Sequence, residues 1–321
     1  MGEFFVFFYH TGCFLCGILF FGHLPTGKEE KMKNAKLIKR LVESALLIAL
    51  STVLSTLKLI DMPYGGSVTF ASMLPVMLIA YRYGIGYGAV SAGVYAVIQQ
   101  LLGLENFAYL PVPTPVAIIG LIIFDYALAF LAIAIGGIFR GRLADGRHTA
   151  RSQSLELMLG AVLVCVLRYI CHTVAGATVW QELPIPDGAA IIYSISYNAT
   201  YMIPETLICA AVAFYLGGAI DFLESTPKPF IRREDGISLE YPMACRVLPL
   251  CAWLFVVGGV IADTCLIFKH LQDGESGEFT LAYLSEISWT AVAVVTAACA
   301  AVALALFITG AVLKKKHSPK E

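Results

Sequence analysis

Long apolar runs alternate with short polar joints along most of this chain. From residue 34 onward the pattern divides into eight apolar spans, at about 36–60, 69–83, 84–102, 115–138, 154–179, 188–218, 245–268 and 284–313. Most of them reach the roughly 20 residues that cross a bilayer core of about 30 Å. The second is shorter, at roughly one and a half dozen residues, and is expected to tilt or to pack inside the protein. Lipid gives backbone groups no partner, so each span is predicted to be helical unless strands close into a barrel. Period-2 alternation is absent, which disfavours the barrel. The expected fold class is an all-α integral membrane protein.

Composition and charge then orient the bundle. Only 14% of the 321 residues are charged and 58% are hydrophobic, far from the roughly 25% charged residues of a soluble domain. With the segment before span one placed inside and the spans alternating, nineteen of the 22 Lys and Arg fall on the inner side. Lys58 and Lys269 fall outside and Arg168 within the membrane. Both termini of the mature chain are then cytoplasmic. No basic stripe with interleaved aromatics points to nucleic acid. The nine cysteines lie mostly in apolar segments, as small packing residues do, and the isolated Cys13-x-x-Cys16 pair has no second pair to make a metal or redox site.

Two ends of the chain stand apart. Residues 4–21 are apolar and would add a ninth span that inverts the topology, yet the basic n-region of a signal peptide is missing. Lys28-Glu29-Glu30-Lys31 before Met32 has codons that can contain the ribosome-binding sequence AAGGAGG. Residues 1–31 are therefore expected to be a mis-assigned or disposable segment, with a removed or retained helix as the alternative. After span six, residues 219–243 turn polar, with Pro227, Pro229 and the run Arg232-Arg233-Glu234-Asp235. The layout expected is a six-helix core at 32–218, a cytoplasmic linker at 219–243 and a two-helix extension with a basic tail at 244–321.

Ionisable residues inside the membrane are costly and mark function by default. The core offers Asp125 in span four, Arg168 and His172 in span five, and Glu205 in span six. At about 1.5 Å per residue, Asp125 lies about 15 Å and His172 about 10 Å from the outer ends of their spans, and Tyr193 and Asn198 about 8 and 15 Å into span six. Polar groups of three consecutive spans thus share the outer half of the bilayer, where an importer would hold a solute arriving from outside. His172, Gly176 and Trp180 form one stripe at i, i+4, i+8. Gly176 leaves room for a flat molecule, Trp180 can lie over a cation, and His172 can donate or accept a hydrogen bond. Asp125 supplies negative charge and Tyr126 a ring and a hydroxyl. This set suits a planar, nitrogen-rich cation.

Each residue also has a plainer reading. His172 can join two helices, Gly176 can permit close packing, Trp180 can anchor the interface, and Asp125 can form an ion pair with Arg168. Glu205 follows Pro204 and can satisfy a kinked backbone. Tyr193 and Asn198 are about 140° apart on an ideal helix, so both face one pocket only if it wraps span six. The sequence leaves these alternatives open.

At these same residues the chain resembles the thiamine-specific S component of energy-coupling factor (ECF) transporters. The segment LRYICHTVAGATVWQELPIPDGAAIIYSISYN (167–198) is similar to that family's fifth helix, loop and sixth-helix start, with His172, Gly176, Trp180, Tyr193 and Asn198 at the family spacing. Asp125-Tyr126 resembles its acidic–Tyr pair, 62–84 its first outer loop and second helix, and ENFAYLP (105–111) its third outer loop, with Tyr109 at the site tyrosine. Glu43-Ser44-Ala45-x3-Ala49 is similar to the first-helix motif that docks on the coupling protein. The resemblance covers about 36–218. It implies a six-helix S-component core without ATPase activity, and the two extra C-terminal transmembrane helices lie outside it. It implies thiamine as ligand, partnership with a transmembrane coupling protein and two ABC ATPase subunits, and release by toppling in the membrane. Asp125 stands where some relatives have Glu, and the family's first-loop tryptophan gives way near Gly65-Gly66.

Two other classes remain as alternatives: an S component for riboflavin or for hydroxymethylpyrimidine, a thiamine precursor, and a membrane-embedded enzyme built on Asp125, His172 and Glu205. The enzyme is disfavoured because HExxH, paired-carboxylate and nucleophile-elbow motifs are absent. No cofactor or metal is expected.

Overall fold

The computed structural model describes residues 28–62, 66–110, 114–143, 149–178, 188–229, 233–234, 237–238, 244–271 and 282–316. The expectations placed on residues 1–27, and on Trp180 within 179–187, lie outside the described residues, as does the side chain of Tyr109. Eight helices organise the rest: α1 (Lys28–Thr56), α2 (Leu74–Tyr83), α3 (Ile85–Leu102), α4 (Pro115–Phe139), α5 (Ala150–Thr178), α6 (Gly188–Ala219), α7 (Ala244–Phe268) and α8 (Trp289–Lys316). Helices α3 to α8 contain segments long and apolar enough to cross a membrane. The chain is an all-α, multi-pass membrane protein.

The first two spans differ from the sequence pattern. Helix α1 is long enough to cross, but Lys39, Arg40 and Glu43 lie within it. It stops at Thr56, and the residues that the apolar pattern gave to its end form β1 (Lys58–Asp61), paired antiparallel with β2 (Ser67–Thr69). Met62 N–H donates to Gly66 O at 2.8 Å across the hairpin end. A Cβ on Gly66 would sit 2.9 Å from the Tyr201 ring, so glycine lets the hairpin lie directly on α6. Non-helical backbone at membrane depth survives only where protein satisfies it. Here the Glu205 carboxylate accepts both the Thr69 N–H (2.6 Å) and the Thr69 hydroxyl (2.7 Å).

Because the hairpin covers part of the depth, α2 needs only ten residues. Nine of them, Leu74–Arg82, are buried, which explains a sequence that is apolar on every side. Small residues bring its neighbours close. A Cβ on Gly88 of α3 would meet Ala80 Cα at 2.6 Å, and one on Gly137 of α4 would meet the Ala80 carbonyl at 2.7 Å.

The helix ends away from the β hairpin are tied by buried polar side chains. Glu156, fully buried in α5, accepts the Tyr81 hydroxyl and the N–H groups of Gly141 and Leu143, both at 3.0 Å. Gln153 donates to Gly217 O and Ile220 O and accepts from Phe222 N–H. Arg82 pairs with Glu43 and reaches Phe222 O. Helices α1, α2, α5 and α6 are thereby closed together on the side away from the β hairpin.

Helices α7 and α8 form a pair on the flank of α6. Trp253 of α7 bridges Phe214 of α6 (5.8 Å) and Phe307 of α8 (5.6 Å). Asp263 accepts the Thr296 hydroxyl at 2.6 Å between the two added helices. Helix α8 leaves most of its apolar surface outward.

Candidate functional site

A cavity of about 650 Å³ opens in the half of the bundle that carries the β hairpin. Its walls come from the end of α1, the β hairpin and the turn after it, the end of α3 and the turn Leu104–Tyr109, the first half of α4, the end of α5 and the first half of α6. Asp125, Tyr126, His172, Gly176, Tyr193 and Asn198 all line it. The common depth read from the sequence is therefore a common pocket.

Asp125 and Tyr126 sit on a seven-residue π-helical stretch, Ile122–Leu128, inside α4. Such a widened turn shifts side-chain directions within an otherwise α-helical rod and recurs at functional sites. It aims Asp125 across to α5, where His172 Nδ1 meets Asp125 Oδ1 at 2.9 Å. The two side chains keep 16% and 13% of their surface open. With the His172 Nδ1–H donated to the carboxylate, Nε2 faces Arg168 Nη2 at 3.5 Å as an acceptor. The network thus assigns the tautomer. Asp125 does not bridge directly to Arg168, since His172 stands between them. The guanidinium instead lies 4.6 Å over the Phe130 ring and against Met73 Sδ, and its Nε has no hydrogen-bond partner among the described residues.

Tyr126 faces the cavity with its ring, 6.3 Å from both Phe107 and Phe130 in stacked orientations. Its hydroxyl is engaged, donating to Gly103 O (3.1 Å) and accepting from Asn106 Nδ2 (3.2 Å). Asn198 is similarly oriented from behind. Its Nδ2 donates to Ser194 O (2.8 Å), Ser194 Oγ (3.2 Å) and His172 O (3.3 Å), and its Oδ1 accepts the Tyr201 hydroxyl. The amide therefore presents acceptor capacity, not donors, to a solute.

Gly176 departs from the reading of a shelf for a flat ligand. A Cβ there would meet Ser194 Oγ at 2.3 Å. Much of the room beside it is filled by α6, so close packing of α5 on α6 is its first role. Tyr193 and Asn198 do face one cavity. The pocket wraps α6: residues 193, 194, 197, 198, 201, 202 and 205 all line it, about half the helix circumference at 100° per residue.

Sequence reasoning missed Tyr197, Tyr201 and Ser194. The repeat Tyr193-x3-Tyr197-x3-Tyr201 was a readable signal, an aromatic ridge at i, i+4, i+8. Tyr201 lies 5.9 Å from Tyr197 and 6.3 Å from the His172 ring. Thr69 also lines the cavity, and no local signal pointed to its bond with Glu205.

At formal charges the cavity interior holds two carboxylates, Asp125 and Glu205, against one guanidinium, Arg168, with no lysine among its described deeper residues. A surplus negative charge, aromatic walls and clustered acceptors suit a flat cation that carries N–H donors. Among the described residues no group of three or more metal-ligating side chains occurs.

The family match and the curated relative agree with that chemistry. A family model described as "Thiamine transporter protein (Thia_YuaJ)" matches residues 41–223, more than half of the chain. The curated "Thiamine transporter ThiT" of Bacillus subtilis (strain 168) is 33% identical over 186 residues, which cover 56% of this chain and 91% of that protein. A solved structure of ThiT from Listeria monocytogenes is 24% identical, with 57% of this chain and 94% of that chain covered and a TM-score of 0.45. Helices α7 and α8 lie beyond the matched residues. The chain belongs to the thiamine transporter family.

Proposed function

We propose that this chain is the thiamine-binding subunit of an ECF-type importer. Thiamine occupies the outer cavity, its aminopyrimidine N–H donors toward Asp125 and Asn198 and its thiazolium against the tyrosine ridge of α6. The observation that carries this reading is the Asp125–His172 couple, held at 2.9 Å and facing a cavity with surplus negative charge. The family resemblance adds Tyr109 and Trp180 to the residues assigned to thiamine. Residues 32–218 form the binding core, 219–243 a cytoplasmic linker and 244–321 an accessory unit, with both termini of the mature chain in the cytoplasm.

Transport itself requires partners. The chain docks on a transmembrane coupling protein through α1, and two ABC ATPase subunits supply the energy. Ala45 and Ala49 are exposed on α1, whereas Glu43 and Ser44 of the same motif turn inward to Arg82 and Tyr87. Uptake of labelled thiamine into cells expressing this chain with and without a coupling module tests the assignment. Uptake that depends on both supports it. Thiamine uptake by this chain alone, at the same rate, refutes the partnership.

A further inference from the structure

The mouth of the cavity carries a carboxylate that the binding constellation leaves unused. Glu105 lies in the short turn Leu104–Tyr109 between α3 and α4, is exposed, and lines the cavity. Its place at the rim is fixed from below. Tyr126, next in sequence to the half-buried Asp125, holds Gly103 O and Asn106 Nδ2 with its hydroxyl, clamping the chain on both sides of Glu105. Among the described residues, the other charged residue at the rim is Lys58, and Asp61 engages its ammonium with both oxygens, at 3.0 and 3.1 Å. That pair is locally neutral. Glu105 forms no ion pair among the described residues, so the described part of the mouth carries one uncancelled negative charge.

We propose that Glu105 is a capture residue: it draws a cationic solute to the cavity mouth and raises the association rate, without holding the solute once bound. The proposal rests on the thiamine reading, since thiamine bears a permanent positive charge. A fixed charge at the rim of a low-dielectric cleft acts on encounter, and rim charges change association rates more than dissociation rates. The bound solute sits deeper, at Asp125 and Asn198. The effect is screened by salt, with a Debye length of about 10 Å at 0.1 M.

Stopped-flow binding of thiamine to the purified full chain in nanodiscs of neutral lipid tests this, with Glu105→Gln and Glu105→Lys against the parent protein. Thermal midpoints of the variants confirm that the exposed substitutions leave the fold intact. At about 20 mM salt the association rate should fall about two- to fivefold in Glu105→Gln and further in Glu105→Lys. The differences should vanish by about 0.5 M salt, where screening is nearly complete, with dissociation rates unchanged. Equal association rates at every salt concentration would overturn the capture role, as would a change confined to dissociation. If the parent protein itself fails to bind thiamine, the thiamine reading falls. If it binds and only the variants behave alike, the capture role alone falls.

Discussion

Asp125, His172 and Asn198 divide the polar contacts of the cavity by geometry. His172 holds the carboxylate, and Tyr201 with Ser194 holds the amide, so neither acceptor must be reoriented when a solute arrives. Asp125→Asn keeps the shape and removes the charge. Truncating one side of a desolvated charge pair costs about 2–5 kcal/mol, so thiamine affinity should fall at least about tenfold in a calorimetric titration. His172→Ala and Asn198→Ala should each cost about 1–3 kcal/mol. Because His172 separates Asp125 from Arg168, adding Arg168→Gln should not restore binding to Asp125→Asn. Full rescue in that double variant would make Asp125 a scaffold residue. Gly176→Ala should lower the thermal midpoint, since overpacking typically costs about 1–3 kcal/mol. Ser194→Ala should partly relieve it by removing the 2.3 Å contact, leaving one at 3.2 Å. If Gly176→Ala instead leaves stability intact and weakens binding alone, the shelf reading returns. Asp125, His172 and Asn198 were legible because charge inside an apolar span is rare and depth can be counted along a helix. Glu205 was visible as a charge but not as a hairpin anchor, because its donor Thr69 lies 136 residues away.

Among the elements, α4 and the β hairpin depart most from regular helices. The hydrophobic pattern marked α4 as one span, and nothing in IIFDYAL announces a π turn, which arises from packing against α3 and α5 and not from local propensity. The same pattern extended α1 through residues that form β1, since a short apolar strand and a helix end look alike over four residues. Gln153 and Glu156 in the first two turns of α5 resemble a solvated helix start in sequence, yet both are fully buried. Their partners, the Tyr81 hydroxyl and backbone groups of other segments, have no sequence signature. Helix α1 makes the clearest prediction at this scale. Val42, Leu46 and Leu50 are exposed beside Ala45 and Ala49, giving an outward face with small residues at i, i+4. Replacing both alanines with Trp should abolish uptake in cells while the isolated subunit binds thiamine nearly as before. Loss of binding by the isolated subunit would contradict a docking role.

In the whole molecule, the cavity opens on one side and a buried polar network ties the other. A solute bound at Asp125 therefore has a path to the hairpin side and none through the Tyr81–Glu156 and Arg82–Glu43 contacts of this conformation. Helices α7 and α8 contribute no residue to the described cavity wall. Their composition break was plain in the sequence, and their placement on α6 through Trp253 was not. A chain ending near residue 243 should keep thiamine affinity within about threefold, because lipid can replace α7 on the apolar flank of α6. A loss of binding with the fold retained would give the added helices a part in the site. The central claim, a cavity built for one flat cationic vitamin, meets its most direct test in an equilibrium titration of purified protein with thiamine, riboflavin and hydroxymethylpyrimidine. The account predicts saturable one-to-one binding of thiamine, with the other two bound far more weakly. Tighter binding of riboflavin or hydroxymethylpyrimidine, or no binding of thiamine by folded protein, would contradict it.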